Sequence, residues 1–225
     1  FELVGSQLKS LDNPDEAIFY TSGRASNEAA FLYQLFIRHY GTNNLPDCSN
    51  MCHESSGTAM KQAVGIGKGT VTLDDIHEAD TVICIGQNPG TNHPRMLSSL
   101  ETCVENGGKI IAINPLKEAG LMGFAHPQKI SGMMGKSTQL ATQYLQVKVN
   151  GDLALLRALG KEIFERDALD HDFIANHTNG IDAYRNVCAA ADYDDLCKRS
   201  GVSRNDVSEL ADSVLSGDKK LITCW

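Results

Sequence analysis

Residues 80–86, Asp-Thr-Val-Ile-Cys-Ile-Gly, make an uninterrupted apolar run closed by glycine, and residues 109–113, Lys-Ile-Ile-Ala-Ile, make a second. A strand with one wet face alternates apolar and polar side chains. A run without alternation belongs to a strand covered on both faces, as in a parallel sheet between helices. Between the two runs, Pro94 suits a first helical turn, and Met96, Leu97, Leu100, Cys103 and Val104 recur at three- and four-residue steps up to Gly107-Gly108. Strand, helix and strand in succession predict a crossover that lays the two strands parallel and adjacent.

The rest of the chain extends this pattern. Residues 17–21 read as a strand leading into a helix capped by Ser26, with Glu28 in its first turn and Ala29, Leu32, Leu35, Phe36 and His39 along one face, His39 at the core edge. A helix over 55–64 ends at Gly65-Ile66-Gly67-Lys68-Gly69, which neither follows a strand nor opens a helix and so reads as a connector, not a phosphate loop. Residues 118–144 read as loop, and 146–149 as a strand. Asn150-Gly151-Asp152 opens a long helix presenting Leu153, Leu156, Leu159, Gly160 and Ile163; 168–200 is helical and polar. Ser203 with Asp206 is a capping signal ahead of Val207, Leu210, Ala211, Val214 and Leu215, a helix stopped by Gly217, and 221–225 is a last strand. The expectation is an α/β, Rossmann-like three-layer domain spanning 1–225. Its mostly parallel sheet has strands near 17, 81, 109, 145 and 221 and helices on both faces.

With 225 residues, 42% of them hydrophobic, the chain can bury one domain or at most two small ones. A formal charge of -8 and no basic run exclude a sequence-independent grip on nucleic acid. Seven cysteines without a CxxC suggest reduced cytoplasmic thiols rather than disulfides or a zinc or iron-sulfur site, and no segment matches a membrane span. The chain opens at Phe1 and stops on an apolar strand at Trp225, so it is expected to be a piece of a longer multidomain protein.

Ligands of an open parallel sheet bind beyond the carboxyl ends of its strands, beside helix N-termini that suit phosphate. Residues 86–94, 114–117 and 150–152 have that position. Gly86 and Gly90 allow close backbone approach, and Asn88, Thr91 and Asn92 offer neutral donors and acceptors. Asp152 could equally be an N-cap, and His93 a brace for the turn before Pro94. Cys52 stands apart: it lies on a polar loop at a helix entrance with His53 directly after it, a setting that can lower a thiol pKa. Taken alone, such a pair is more often a packed cysteine beside an exposed histidine.

Together, Ser22-Gly23-Arg24-Ala25-Ser26-Asn27-Glu28, Asn43-Asn44 nine residues before Cys52-His53, Gly86-Gln87-Asn88-Pro89 with His93-Pro94, Ile113-Asn114-Pro115 and Gly151-Asp152-Leu153-Ala154-Leu155-Leu156 make an ordered set. This set resembles the molybdopterin oxidoreductases, and within them the formate dehydrogenase α-subunit-like branch. The resemblance implies that Cys52 ligates molybdenum or tungsten, held also by the dithiolenes of two molybdopterin guanine dinucleotides, and that His53 handles the proton. It implies further that Gly23, Arg24, Asn27, Gly86, Asn88, Pro89, Thr91, Asn92 and His93 line a dinucleotide site, with Asn114, Pro115, Lys117, Gly151 and Asp152 around its guanosine or pyrophosphate. Formate or a similar small molecule would be the substrate. The remaining domains of the parent chain would complete the site and hold any iron-sulfur cluster, and a separate partner would carry electrons away. The isolated domain is then expected to be inactive.

The chain also departs from the family. Asn114-Pro115-Leu116 stands where relatives have Asp-Pro-Arg, Thr91 replaces a frequent acidic residue, and Asn50 replaces a common arginine. These departures leave room for a nucleotide-binding regulatory or interaction module without redox activity. A cysteine hydrolase would need a base and an oxyanion hole that the sequence does not place.

Overall fold

In the computed structural model, which describes residues 1–23, 25–46, 52–216 and 220–225, the chain divides into two units, Phe1–Thr70 and Val71–Trp225. The first contains α1 (Glu2–Lys9), α2 (Asn27–Tyr40) and α3 (Glu54–Val64). Helix α2 starts as its sequence dictates, with the Ser26 hydroxyl accepting from the Ala29 N–H at 3.2 Å, and ends on Gly41 at φ +107°, a left-handed conformation that glycine takes without strain. The 17–21 run is not a strand. It is extended, but its order comes from burial of Ala17 and Phe19 against Ile37, Tyr33 and Tyr40 of α2, and from the Phe19 N–H donating to the Asn44 carbonyl at 2.9 Å. The buried face of α2 also differs from the expected one. Ile37 is buried, whereas Leu32, Leu35, Phe36 and His39 are exposed.

The second unit runs α4 (Leu73–His77), β1 (Thr81–Ile85), α5 (Pro89–Asn92), α6 (Pro94–Glu105), β2 (Lys109–Ile113), α7 (Ala119–Met122), α8 (Ile130–Met133), β3 (Ala141–Leu145), α9 (Asp152–Glu165), α10 (His171–His177), α11 (Ile181–Ala189), α12 (Tyr193–Ser200), α13 (Arg204–Leu215) and β4 (Leu221–Cys224). The four strands form one sheet in the order β3-β2-β1-β4, parallel throughout, with Ile83 opposite Ile111 and Cys84 opposite Cys224. The pleat sorts the apolar runs to two faces. Ile83, Ile111, Ile113 and Leu145 pack under α9, α12 and α13, while Val82, Cys84, Ile110 and Ala112 pack under α6 with Leu121 and Leu140. Both faces of the central strands are thus covered, which is why their sequences do not alternate.

The strand expected over 146–149 lies earlier, at Ala141–Leu145, reaching back into the segment 118–144 that reads as loop. β3 is an edge strand carrying Thr142, Gln143 and Tyr144, and that polar composition hides it from an apolar-run criterion. Val147 is buried beyond the strand end, so its hydrophobicity reflects packing. The Ser203–Asp206 capping box forms as its spacing predicts; Gly217, expected to stop that helix, lies outside the described residues. Among the described residues, no helix is long and apolar enough to cross a membrane.

An ion pair with a buried carboxylate and a half-exposed lysine fastens the chain between α7 and β3 onto α6. Glu101, 3% exposed, is held by the Lys129 ammonium at 2.8 Å and by the Thr138 hydroxyl at 2.9 Å. Burial alone would raise its pKa, but the bonds from Lys129 and Thr138 outweigh it and hold the carboxyl below the usual glutamate range. A carboxyl depressed in the folded state contributes stability above its unfolded pKa and loses it as pH falls through the folded value. Glu101→Gln is therefore expected to cost about 1–3 kcal/mol near neutral pH. In urea unfolding, the gap between wild type and variant should narrow as the pH is taken down through the carboxylate range.

Candidate functional site

Cys52 is exposed, and it lies with His53 at the mouth of α3, where His53 is the N-cap residue. The two line a cavity of about 740 Å³ together with Tyr20, Ser22, Gly23, Glu54, Gly57, Thr58, Lys61 and Gly67. Glycine is needed at part of this wall, because a methyl on Gly67 would lie 2.8 Å from the Gly57 carbonyl oxygen. His53 Nδ1 sits 3.5 Å from the Ser56 hydroxyl. The structure thus brings Cys52, His53 and Gly23 to one cavity; Asn27 is exposed at the start of α2 and is not among the residues lining it. Arg24 and Asn50 lie outside the described residues.

The other expected residues gather in the second unit, at the carboxyl ends of β1, β2 and β3. Gly86 leaves β1 at φ +66°, its N–H donating to the Ile113 carbonyl at 2.8 Å. Asn88 caps α5 through its side-chain oxygen, which accepts from the Thr91 N–H at 3.2 Å, and its amide N–H donates to Glu118 at 2.7 Å. Pro89 is the buried first residue of α5, while Thr91, Asn92 and His93 are exposed. His93 braces the turn through its backbone, donating to Pro89 at 2.9 Å and accepting from Met96 at 2.8 Å, and leaves its ring at the surface.

Asn114 is 6% exposed. Its side chain donates to the Gln87 carbonyl at 3.1 Å and accepts from the Leu116 N–H at 3.1 Å, so it ties the β1 loop to the β2 loop. The Pro115 carbonyl accepts from Gln146 at 2.9 Å, and Lys117 is exposed, with no ion pair among the described residues. Gly151 is buried because a methyl there would meet the Lys148 carbonyl oxygen at 2.8 Å. Asp152 is the first residue of α9 and makes no side-chain cap, which removes the N-cap reading. The 14-residue α9 therefore starts without a side-chain cap on its first backbone N–H groups.

Three residues with parts in this cluster were not singled out by sequence. Glu118 bonds Asn88 through its carboxylate, and its backbone N–H donates to the Tyr144 hydroxyl at 3.1 Å; Tyr144 in turn donates to the Leu116 carbonyl. Burial pushes the Tyr144 phenol up, which keeps it a donor. Gln87 carries the third signal: its side-chain oxygen is buried with no hydrogen-bond partner among the described residues. Only Gln87, inside the Gly86-Gln87-Asn88-Pro89 motif, had a sequence cue. Gly90 and Gly120 set α5 directly against α7, since a methyl on Gly120 would lie 2.9 Å from the Gly90 Cα.

The donor set fits a metal held mainly by organic ligands. Among the described residues, no group of three or more His, Cys, Asp or Glu side chains could hold a metal ion, so the protein would contribute the single exposed thiol of Cys52. The orphaned Gln87 oxygen and the uncapped start of α9 fit a nucleotide with its own donors and phosphates.

The family model for molybdopterin oxidoreductases matches residues 1–205, and the chain belongs to that family. An uncharacterized oxidoreductase of Mycobacterium tuberculosis is 47% identical over 231 residues, covering 100% of this chain and 30% of that protein. The α subunit of the F420-dependent formate dehydrogenase 1 of Methanococcus maripaludis is 28% identical, covering 93% of this chain and 29% of its own length. The assimilatory nitrate reductase of Haloferax mediterranei is 30% identical, covering 92% and 27%. Among solved structures, acetylene hydratase from Pelobacter acetylenicus shares the fold with a TM-score of 0.63 at 15% identity, covering 100% of this chain and 28% of the other. The chain thus spans about 30% of the length of the curated relatives it matches.

Cys52 is the solvent-facing thiol among the described cysteines, whereas burial pushes Cys84 up to about 12 and raises Cys103 as well. Brief alkylation of the native chain with iodoacetamide is therefore expected to label Cys52 well before Cys84, Cys103 or Cys188, since thiolate character and access both govern the rate. Peptide mass spectrometry reads the order directly.

Proposed function

We propose that this chain is the part of a molybdenum- or tungsten-dependent oxidoreductase that offers Cys52 to a bis-molybdopterin guanine dinucleotide centre and cradles a nucleotide with the sheet-end loops. The observation that carries the reading is an exposed thiol, next to an imidazole, on a cavity of about 740 Å³ in a chain of this family. When bound, the metal–pterin group supplies two-electron chemistry. The chain's own residues do the rest: Cys52 Sγ binds as thiolate, His53 holds or passes a proton, and Lys61 at the same cavity attracts a small anion.

Formate is the leading substrate, supported by the His53 side chain next to the metal ligand and by the formate dehydrogenase among the relatives. Nitrate, named in another relative, is the main competitor. The chain alone should not turn over, because one thiolate and the walls of one cavity leave most of such a centre open to water. A cytoplasmic location and a separate electron acceptor complete the proposal.

Two measurements test it. In the intact parent enzyme, metal analysis should find molybdenum or tungsten near one per protein, falling at least about tenfold in Cys52→Ser, as loss of a ligand predicts. Parent enzyme should reduce a viologen dye with formate, whereas the 225-residue chain should show no rate above its Cys52→Ala variant. Metal content indifferent to Cys52 would refute the ligand assignment.

A further inference from the structure

The first unit, Phe1–Thr70, is short of a core. Among its described residues the buried apolar side chains are Ala17, Phe19 and Ile37, and the 14-residue α2 buries Ile37 alone. Helices in proteins take most of their stability from packing an apolar face, and a unit of this size does not hold itself with so little burial. The apolar face is present. Around α2 from Ile37, the side chains of Tyr40, Phe36, Leu32 and Leu35 follow one another through about half of the circumference. Yet Leu32 is 62% exposed, Leu35 54% and Phe36 46%. The extended segment 17–21 is unfinished in the same way. Ala17 and Phe19 pack against α2, whereas Ile18 and Tyr20 are exposed, so burial alternates as in a strand. Backbone groups of an extended segment point alternately to its two edges. One edge is occupied by Asn44, whose side-chain amide donates to the Ala17 carbonyl at 3.2 Å and whose carbonyl accepts from the Phe19 N–H at 2.9 Å. On the other edge, the N–H groups of Ile18 and Tyr20 donate to nothing among the described residues.

We propose that a strand from the part of the parent chain outside these 225 residues pairs with the Ile18–Tyr20 edge and lies against Phe36 and Leu32 of α2. Strand addition suits this edge, because main-chain hydrogen bonds give the affinity and alternate side chains give the register. Phe36 already stands 5.9 Å from Phe19, ring centre to ring centre, so the exposed stripe of α2 continues outward from the contact that orders 17–21. The parent chain has the length to supply the strand. The Mycobacterium tuberculosis relative is 47% identical across the whole of this chain, which covers only 30% of its length. A segment of the same polypeptide is also favoured over a second copy, since a linked strand acts at a high effective concentration. On this reading the apolar alternation of 17–21 marks a strand whose partner lies outside residues 1–225. The inference does not rest on the proposed metal or substrate; it needs only the longer parent chain.

The test uses the intact parent protein. Hydrogen exchange resolved to single amides should show Ile18 and Tyr20 slowed at least about a hundredfold relative to an unstructured peptide, as ladder hydrogen bonds in a packed sheet require. Photo-crosslinking gives the partner: Leu32→p-benzoylphenylalanine, at an exposed position, should join a peptide from outside residues 1–225 in a product of monomer mass. Exchange of Ile18 and Tyr20 at the free-peptide rate overturns the inference, and because it is read on wild type it decides the matter even where the labelled variant does not fold. Crosslinks confined to residues 1–225 overturn it by showing that the chain covers this face itself. A crosslinked product of twice the monomer mass overturns it in favour of a second copy, and the absence of any crosslink overturns it as well. None of these outcomes touches Cys52 as a metal ligand, which the metal content of Cys52→Ser tests separately.

Discussion

The buried amide of Asn114 is the constraint on which the sheet-end cluster depends. Burying a side-chain amide is costly unless its donor and acceptor are engaged, and Asn114 engages both on two different loops, at the Gln87 carbonyl and the Leu116 N–H. Its backbone N–H donates in addition to the Leu145 carbonyl at 3.1 Å, so one residue connects the ends of all three strands that deliver candidate ligand groups. An aspartate in the same place could accept from Leu116 but could not donate to Gln87. In this chain an amide holds the loops, and Glu118 brings a carboxylate to the cluster, bonded to Asn88.

The central strands and their helices were legible because burial on both faces leaves a signature that needs no tertiary knowledge. Val82, Ile83 and Cys84 are buried as their unbroken apolar run implies, and Ser203 with Asp206 names a helix start by local hydrogen bonding alone. The errors share a physical cause. Ala17, Phe19 and Val147 are buried by helices or loops without pairing in the sheet, while Ile18, Tyr20 and Val149 are exposed, and β3 is polar because it lies at an edge. Periodicity records exposure, not hydrogen-bond pairing. The face of α2 misled for the same reason: Leu32, Leu35 and Phe36 have helical spacing, yet Ile37 is the residue its own unit buries.

For the candidate site, the ordered motifs identified the backbone turns: Gly86 at positive φ, Pro89 at a helix start, Gly151 against Lys148. What they could not supply were groups whose meaning is purely spatial. Glu118 matters through Asn88, thirty positions earlier in the chain. Tyr144 matters because its hydroxyl reaches Leu116 and Glu118. Gln87 was visible inside a motif, but only its missing donor makes it informative.

The back-to-back glycines at positions 90 and 120 have a consequence for how the two loops behave together. With no side chain on either, α5 and α7 meet at backbone distance, and that contact leaves little freedom for one turn to shift without the other. A molecule that seats itself on the first turn thereby settles the second, and the entropic cost of ordering is met largely during folding rather than on capture. Such a paired latch would favour slow release over rapid exchange for any molecule bound across both turns.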